Sequence, residues 1–278
     1  MYNILFGGMI MVKFNRYKNG TIRALTMSYD DGKPQDKRLV EIFNKYGIKA
    51  TFHINANKFL HLSEEELKEV AKMYEGHEIS CHGFHHPHLS QFPTQLCMKE
   101  ILDDRAFLEK MCGYPIRGMS YPYGLYNDEV IAAVKAAGME YSRGCNNTKS
   151  FALPNDWMVW NPTCHHNDNL DELLHKFRGS WLMMPVFYIF GHSFEFDNDN
   201  NWDMIERFCE KASGDPKTWY ATNIEILDYV NATRQLRFTL DGRIAYNPTA
   251  TDVWVEVGGE AIKIGAGETV DLGEEATK

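Results

Sequence analysis

Two short runs in the first third of the chain combine residue types that bind metal ions and move protons. The first is Ser28-Tyr29-Asp30-Asp31-Gly32, and the second, residues 77–87, contains four histidines. Together they supply carboxylate and imidazole ligands for one divalent metal ion, with a spare carboxylate beside it. A metal ion with open coordination positions lowers the pKa of a bound water toward neutrality, so a nearby base can turn that water into a nucleophile. The two runs therefore indicate hydrolytic chemistry.

The two adjacent aspartates fall where an apolar-alternating run gives way to a loop. The run covers residues 22–27, and Gly32 and Pro34 follow the aspartates. Neighbouring residues that leave a strand point in different directions, so one carboxylate can bind a metal while the other faces the water. Asp-Asp-Gly alone is more typical of a solvated turn, so this interpretation depends on the histidines.

The histidine-rich run offers more candidate ligands than one metal site needs. Five histidines lie within the twelve residues 77–88. His82 and His86 are spaced i, i+4, which predicts that both lie on one face of a helical turn. Spacing alone does not decide which two bind the metal, and His85 is the first alternative.

At this point the chain resembles the polysaccharide deacetylases, carbohydrate esterase family four. The first two motifs of that family are similar to residues 29–32 and to residues 76–87. Residues 120–124 resemble the third motif, residues 188–192 the fifth, and residues 155–157 weakly resemble the fourth. The resemblance covers roughly residues 20 to 230. It implies a distorted (β/α) barrel with about seven parallel strands.

The resemblance also implies a role for each matching side chain. The implied metal ligands are Asp31, His82 and His86. Asp30 would be the general base and His192 the general acid, while the backbone N–H of Tyr123 would join the metal in stabilising the oxyanion. Zinc is the expected metal, with cobalt and nickel as alternatives.

The chain departs from the family pattern at two positions beside the predicted site. Ser120 stands where most members have an arginine that holds the catalytic aspartate. Arg143 ends another alternating stretch, and we expect its guanidinium to lie within hydrogen-bonding reach of Asp30. Arg117 is the other candidate, and each could instead be an ordinary surface arginine. Phe190 replaces the usual leucine, which predicts a reshaped acyl pocket.

A pair of adjacent histidines, His165 and His166, follows a further predicted strand. Four interpretations stay open: contact with sugar hydroxyls, support of His192, a second metal site, and an exposed loop.

Strand-like and helix-like runs alternate along most of the chain, which predicts an α/β fold built of βα units. Strands are predicted at 22–29, 48–54, 77–81, 117–121, 139–143, 157–160, 185–191 and 218–221. A capping box at 63–66, an N-cap at Asn127 and a stop at Gly138 mark helix ends. The candidate catalytic residues fall at strand ends, where (β/α) barrels place their sites.

The domain organisation follows from a change of pattern near residue 233. We predict an N-terminal extension at 1–20, the barrel at 21–233 and a small antiparallel β appendage at 234–278. Short alternating runs separated by Asp241-Gly242, Gly258-Gly259 and residues 265–267 predict the appendage. We expect it to pack on the barrel or on a second subunit, which leaves a homo-oligomer open.

The amino-acid composition narrows the range of expected binding partners. The 278 residues are 44% hydrophobic and carry a formal charge of −9, which argues against nucleic acid as a partner. The absence of a basic leader or a long apolar segment predicts a cytoplasmic protein with no membrane partner. Six dispersed cysteines predict reduced thiols.

The function predicted is metal-dependent removal of acetyl groups from N-acetylated sugars or oligosaccharides. The alternatives are another amide or ester hydrolase on the same barrel, and an inactive sugar-binding or metal-binding protein.

Overall fold

The computed structural model describes residues 10–275. Its strands are β1 (Val12–Lys13), β2 (Arg23–Asp30), β3 (Ala50–Ile54), β4 (Glu78–Cys81), β5 (Gly118–Ser120), β6 (Tyr141–Arg143), β7 (Cys164–His165), β8 (Val186–His192), β9 (Thr218–Tyr220), β10 (Arg237–Phe238), β11 (Ile244–Tyr246), β12 (Val253–Val257), β13 (Glu260–Ile264) and β14 (Thr269–Asp271). Its helices are α1 (Asp36–Tyr46), α2 (Glu64–Met73), α3 (Thr94–Cys112), α4 (Asp128–Ala136), α5 (Leu170–Arg178), α6 (Glu195–Asn198), α7 (Trp202–Ala212), α8 (Asn223–Gln235) and α9 (Leu272–Glu275).

The main sheet is a curled parallel half-barrel with helices around it. Seven strands follow the order β6-β5-β4-β3-β2-β8-β7, and β9 pairs with the first half of β2. All eight residues of β2 are buried, as expected for a central strand covered on both faces. The predicted α/β fold class, with about seven parallel strands and a C-terminal antiparallel part, is confirmed.

The strand register brings the ends of several strands to one edge of the sheet. Asp30 is the register partner of His53 on one side and of His192 on the other. Ser120 at the end of β5 is opposite Arg143 at the end of β6. Because parallel strands all finish at the same edge, these polar side chains gather around one mouth.

The helix boundaries follow local sequence signals. The Ser63 side chain accepts a hydrogen bond from the backbone of Glu66, and the Glu66 carboxylate accepts one from Ser63, so the predicted capping box is present. Asn127 caps α4 by accepting from the Val130 N–H. Gly138 follows the end of that helix with φ +82°, a left-handed conformation that glycine adopts without strain.

The predicted strand at 157–160 is wrong. Residues Trp157–Val159 form a single 3-10 turn, which begins where the Asp156 side chain accepts from the Met158 N–H. Only Trp160 makes a β-bridge, to Arg143, and the next true strand is β7. Pro162 separates the two, and a proline cannot donate to a strand ladder.

The C-terminal part forms two small antiparallel sheets, β1-β12-β13 and β10-β11-β14. β1 belongs to the predicted N-terminal extension, yet it pairs with residues 256–257 of β12. The shared core is apolar and consists of Ala245, Val255, Val257, Ile262, Ile264 and Leu272. This part packs on the barrel through α8, where the Tyr229 hydroxyl accepts from the Trp254 N–H at 3.0 Å. The domain limits and a subunit interface stay predictions.

Two further expectations concern the chain as a whole. None of the helices within residues 10–275 combines the length and apolar character needed to cross a bilayer. All six cysteines are free thiols; four of them are buried, and Cys145 is exposed.

Candidate active site

Three predicted metal ligands meet at the mouth of the half-barrel. The Nε2 atom of His82 lies 3.9 Å from Oδ1 of Asp31, and Nε2 of His86 lies 3.8 Å from the same oxygen. Tetrahedral ligands with bonds of about 2.1 Å would be about 3.4 Å apart. One carboxylate oxygen and two imidazole nitrogens at this spacing fit a divalent metal ion.

Unusual backbone conformations in two loops orient the candidate ligands toward each other. Asp31 and His86 have positive φ values of +84° and +58°, which are uncommon for residues with a side chain. Gly83 has φ +76°, and a Cβ there would lie 3.2 Å from Pro122. His82 and His86 therefore meet across a loop with left-handed residues, so the predicted helical turn is wrong although the pairing it suggested occurs.

His82 is held on two sides. Its Nδ1 lies 3.0 Å from the carbonyl oxygen of Ser120 and 2.6 Å from the Ser120 hydroxyl. Its backbone N–H donates to Asp104, which also accepts from the Ala56 N–H. A proton on Nδ1 leaves Nε2 free for a metal ion. Burial lowers the pKa of both His82 and His86, which favours the neutral imidazole that binds metals.

The other histidines of the run are engaged elsewhere. His85 Nδ1 lies 2.7 Å from Glu100, and His77 accepts from the Ala50 N–H. His88 stacks on the ring of Tyr123 with centroids 3.9 Å apart. The structure thus brings His82 and His86, rather than His85, to Asp31.

Asp30 is buried at the centre of the strand ends. One oxygen accepts from the Ser120 hydroxyl at 3.2 Å, and the other accepts from Nη2 of Arg143. Burial alone would raise the pKa of Asp30, but the Arg143 guanidinium, with help from His82, His53 and His192, holds it well below the usual range. The carboxylate is therefore ionised, which is the form that a general base must have.

Arg143 reaches Asp30 from the strand next to Ser120. Its side chain is 1% exposed, its Nη1 donates to the Gly144 carbonyl, and its guanidinium lies over the Phe190 ring at 4.8 Å. The small Ser120 leaves room for a guanidinium that comes from the neighbouring strand. The alternative candidate, Arg117, pairs with Glu140 and Asp228 instead.

The remaining two predicted residues flank the same mouth. His192 ends β8, with Nδ1 3.3 Å from Glu195. Tyr123 has φ +59° inside the turn Pro122–Gly124, and its ring packs on His86. These positions are compatible with the acid and oxyanion roles, which stay predictions.

Three residues near the mouth make contacts that sequence reasoning missed. Ser120, which stands where most family members have an arginine, contacts both His82 and Asp30. Asp104 lies within α3 and has no local signal. Glu195 had one available signal, its position three residues after His192.

Comparison with known proteins identifies a family with a similar sequence. Residues 17–142 match the sequence model of the polysaccharide deacetylase family. This part of the chain is therefore similar to the polysaccharide deacetylases.

Two curated relatives and one solved structure illustrate the likeness. A peptidoglycan-N-acetylglucosamine deacetylase of Bacillus cereus is 28% identical over 125 residues, covering 42% of this chain and 54% of that protein. A chitooligosaccharide deacetylase of a Bradyrhizobium species is 24% identical over 135 residues, covering 48% and 60%. The Xyl-CE4 domain of a multidomain xylanase from the hindgut metagenome of Trinervitermes trinervoides superposes with a TM-score of 0.54 at 15% identity, covering 76% of this chain and 92% of that domain. The chain spans less than two thirds of the length of these curated relatives, and the structural match concerns the fold alone.

Proposed function

We propose that this protein is a divalent-metal-dependent deacetylase that removes acetyl groups from N-acetylated sugars or oligosaccharides. The observation that carries the proposal is the convergence of a three-ligand metal group, Asp31, His82 and His86, with a separate buried carboxylate on Asp30. Pure metal binding needs no Asp30 and no His192. Zinc is the expected ion, with cobalt or nickel as alternatives.

The residues account for the protons of amide hydrolysis. A divalent ion held by the three ligands supplies Lewis-acid polarisation and lowers the pKa of water. Asp30 accepts a proton from the attacking water, and Arg143 keeps that carboxylate ionised and oriented. His192 donates a proton to the leaving amine nitrogen, and the Tyr123 N–H donates to the developing oxyanion. The products are acetate and a free amine.

The relatives suggest the substrate class. One relative is named for peptidoglycan N-acetylglucosamine and another for chitooligosaccharides. Both of these substrates carry an acetamido group on a sugar. The exposed Tyr123 ring, stacked on His88, offers an apolar face beside the mouth on which a sugar ring can pack.

An assay of acetate release tests the proposed function. The zinc-loaded protein should release acetate from N-acetylated chitooligosaccharides or from peptidoglycan fragments, and chelation should abolish the release. Hydrolysis of simple acetyl esters alone would favour a different hydrolase. Stoichiometric zinc with no turnover of any acetylated substrate would favour an inactive binding protein.

The Arg143→Lys variant should lower kcat by about 10-fold or more while the metal content stays at the wild-type value. Lysine keeps the charge but lacks the planar fork that donates to Asp30 and to the Gly144 carbonyl. Steady-state acetate release and metal analysis would measure both quantities. Arg117→Lys is the matched control, because Arg117 pairs with Glu140 and Asp228 outside the mouth. Equal kcat values for the two variants would remove Arg143 from the catalytic arrangement.

A further inference from the structure

One carboxylate at the site gathers three imidazoles. Oε2 of Glu195 lies 3.1 Å from Nε2 of His165 and 3.2 Å from Nε2 of His166. Oε1 lies 3.3 Å from Nδ1 of His192, and Oε2 also accepts from the His192 backbone N–H. Within residues 10–273, Glu195 is the one carboxylate that approaches a ring nitrogen of His192 within 4.0 Å.

The proton positions follow from the neighbours. Nδ1 of His165 accepts from the Asn167 N–H, so in the neutral ring the proton is on Nε2 and points to Glu195. Burial alone would raise the pKa of Glu195, but His165, His166 and His192 hold it well below the usual range. An ionised Glu195 is an acceptor at both oxygens, so it favours a proton on Nδ1 of His192.

Both ring nitrogens of His165 are used inside this group, which leaves none to contact a sugar hydroxyl. His166 is fully buried between the rings of Tyr29 and Phe196. Gly191 makes room for it, since a Cβ there would lie 2.1 Å from Nδ1 of His166. The pair therefore surrounds the carboxylate, and Nδ1 of His166, which has no hydrogen-bond partner, is buried away from solvent.

We propose that Glu195 is a positioning residue that keeps Nδ1 of His192 protonated, so that Nε2 is the nitrogen that exchanges a proton with the leaving amine. His165 and His166 fix the carboxylate in turn. This inference rests on the proposed function in one respect: the proposed function identifies the leaving amine as the group that receives the proton from His192. The contacts among the four side chains do not depend on it.

Charge around the ring favours the protonated imidazole. The groups near His192 are Glu195 at the start of α6, His165 and His166 from β7 and the residue after it, and Asp30 and Asp31 from the end of β2 and the residue after it. Lys33 lies over the ring of the neighbouring Phe194. Burial lowers the pKa of His192, but Glu195 and the two aspartates outweigh it, so the net pKa is above the ordinary value. Removing the Glu195 charge should therefore lower the pKa of His192.

The test compares Glu195→Gln with Glu195→Asp in the zinc-loaded protein. Glu195→Gln should lower kcat by about 10- to 100-fold at neutral pH, and the basic limb of the kcat/KM profile should move down by about one pH unit. Glu195→Asp keeps the charge and should restore the position of that limb. Glu206→Gln is the matched control, because Glu206 pairs with Lys45 on the surface.

An NMR titration of the His192 ring separates this inference from the proposed function. Its pKa should fall in Glu195→Gln and stay high in Glu195→Asp and Glu206→Gln, even if no acetylated substrate is turned over. An unchanged His192 pKa in a folded Glu195→Gln protein that binds one zinc would overturn the inference. A second equivalent of zinc that is lost with Glu195 would also overturn it, because the cluster would then be a metal site. If the protein releases acetate but the pKa of His192 is unchanged in Glu195→Gln, the inference fails and the proposed function stands.

Discussion

Replacing Asp30 with asparagine is expected to lower kcat for acetate release by at least about 100-fold while zinc remains bound. Asparagine keeps the shape of the side chain and removes the charge that, in the proposed mechanism, accepts the proton from water. The proposed metal ligands are other residues, so metal content should be unchanged. Acetate release and metal analysis on the same preparation measure both parts of this expectation.

The variant has a structural side effect that needs its own control. Arg143 is buried against Asp30, and removing the negative charge leaves the guanidinium uncompensated, which can destabilise the fold by about 3–5 kcal/mol. Thermal unfolding should therefore accompany the assay, with kcat expressed per bound zinc. A variant that is folded, binds zinc and turns over at the wild-type rate would leave Asp30 without a catalytic role.

Several parts of the site could be predicted because strand ends carry positional information. Asp30, Arg143 and His192 each end an apolar or alternating run, and parallel strands finish at one edge of the sheet. The structure brings all three together, with Asp30 in register with His192 and paired with Arg143. Side-chain periodicity placed these residues at strand ends, and the family resemblance added the expectation that Asp30 and His192 act at one site.

The loop conformations could not be predicted in the same way. The spacing of His82 and His86 indicated a helical turn, but their meeting depends on left-handed residues at Gly83 and His86. A positive φ at a histidine is imposed by the surrounding contacts and has no signature in spacing. The glycine was the only local hint.

Long-range pairing explains the other differences. The strand at Val12–Lys13 exists because residues 256–257 lie beside it, more than 240 positions away in sequence. The contacts of Glu195 require His165 and His166, which come from a different strand. Local patterns contain no information about such partners, so these features could be recognised only in the folded chain.

Removing any one of the three proposed metal ligands should have the largest effect of all. We expect Asp31→Ala, His82→Ala and His86→Ala each to lower zinc affinity by more than about 100-fold, because even residues that only orient a ligand contribute about 10- to 100-fold. Activity should be lost in parallel. Calorimetric titration with zinc and metal analysis after dialysis would measure the affinity and the stoichiometry.

His85→Ala is the matched control for the three ligand variants. His85 lies in the same run but pairs with Glu100, and its side chain is 60% exposed. It should therefore keep one zinc per chain and wild-type turnover. Full zinc occupancy in one of the three ligand variants would remove that residue from the ligand set, whereas loss of zinc in His85→Ala would reassign the ligands within the run.

Because His82 is also fixed by Ser120, a Ser120→Ala variant should weaken zinc binding less than His82→Ala does. This difference would separate the ligand from the residue that orients it.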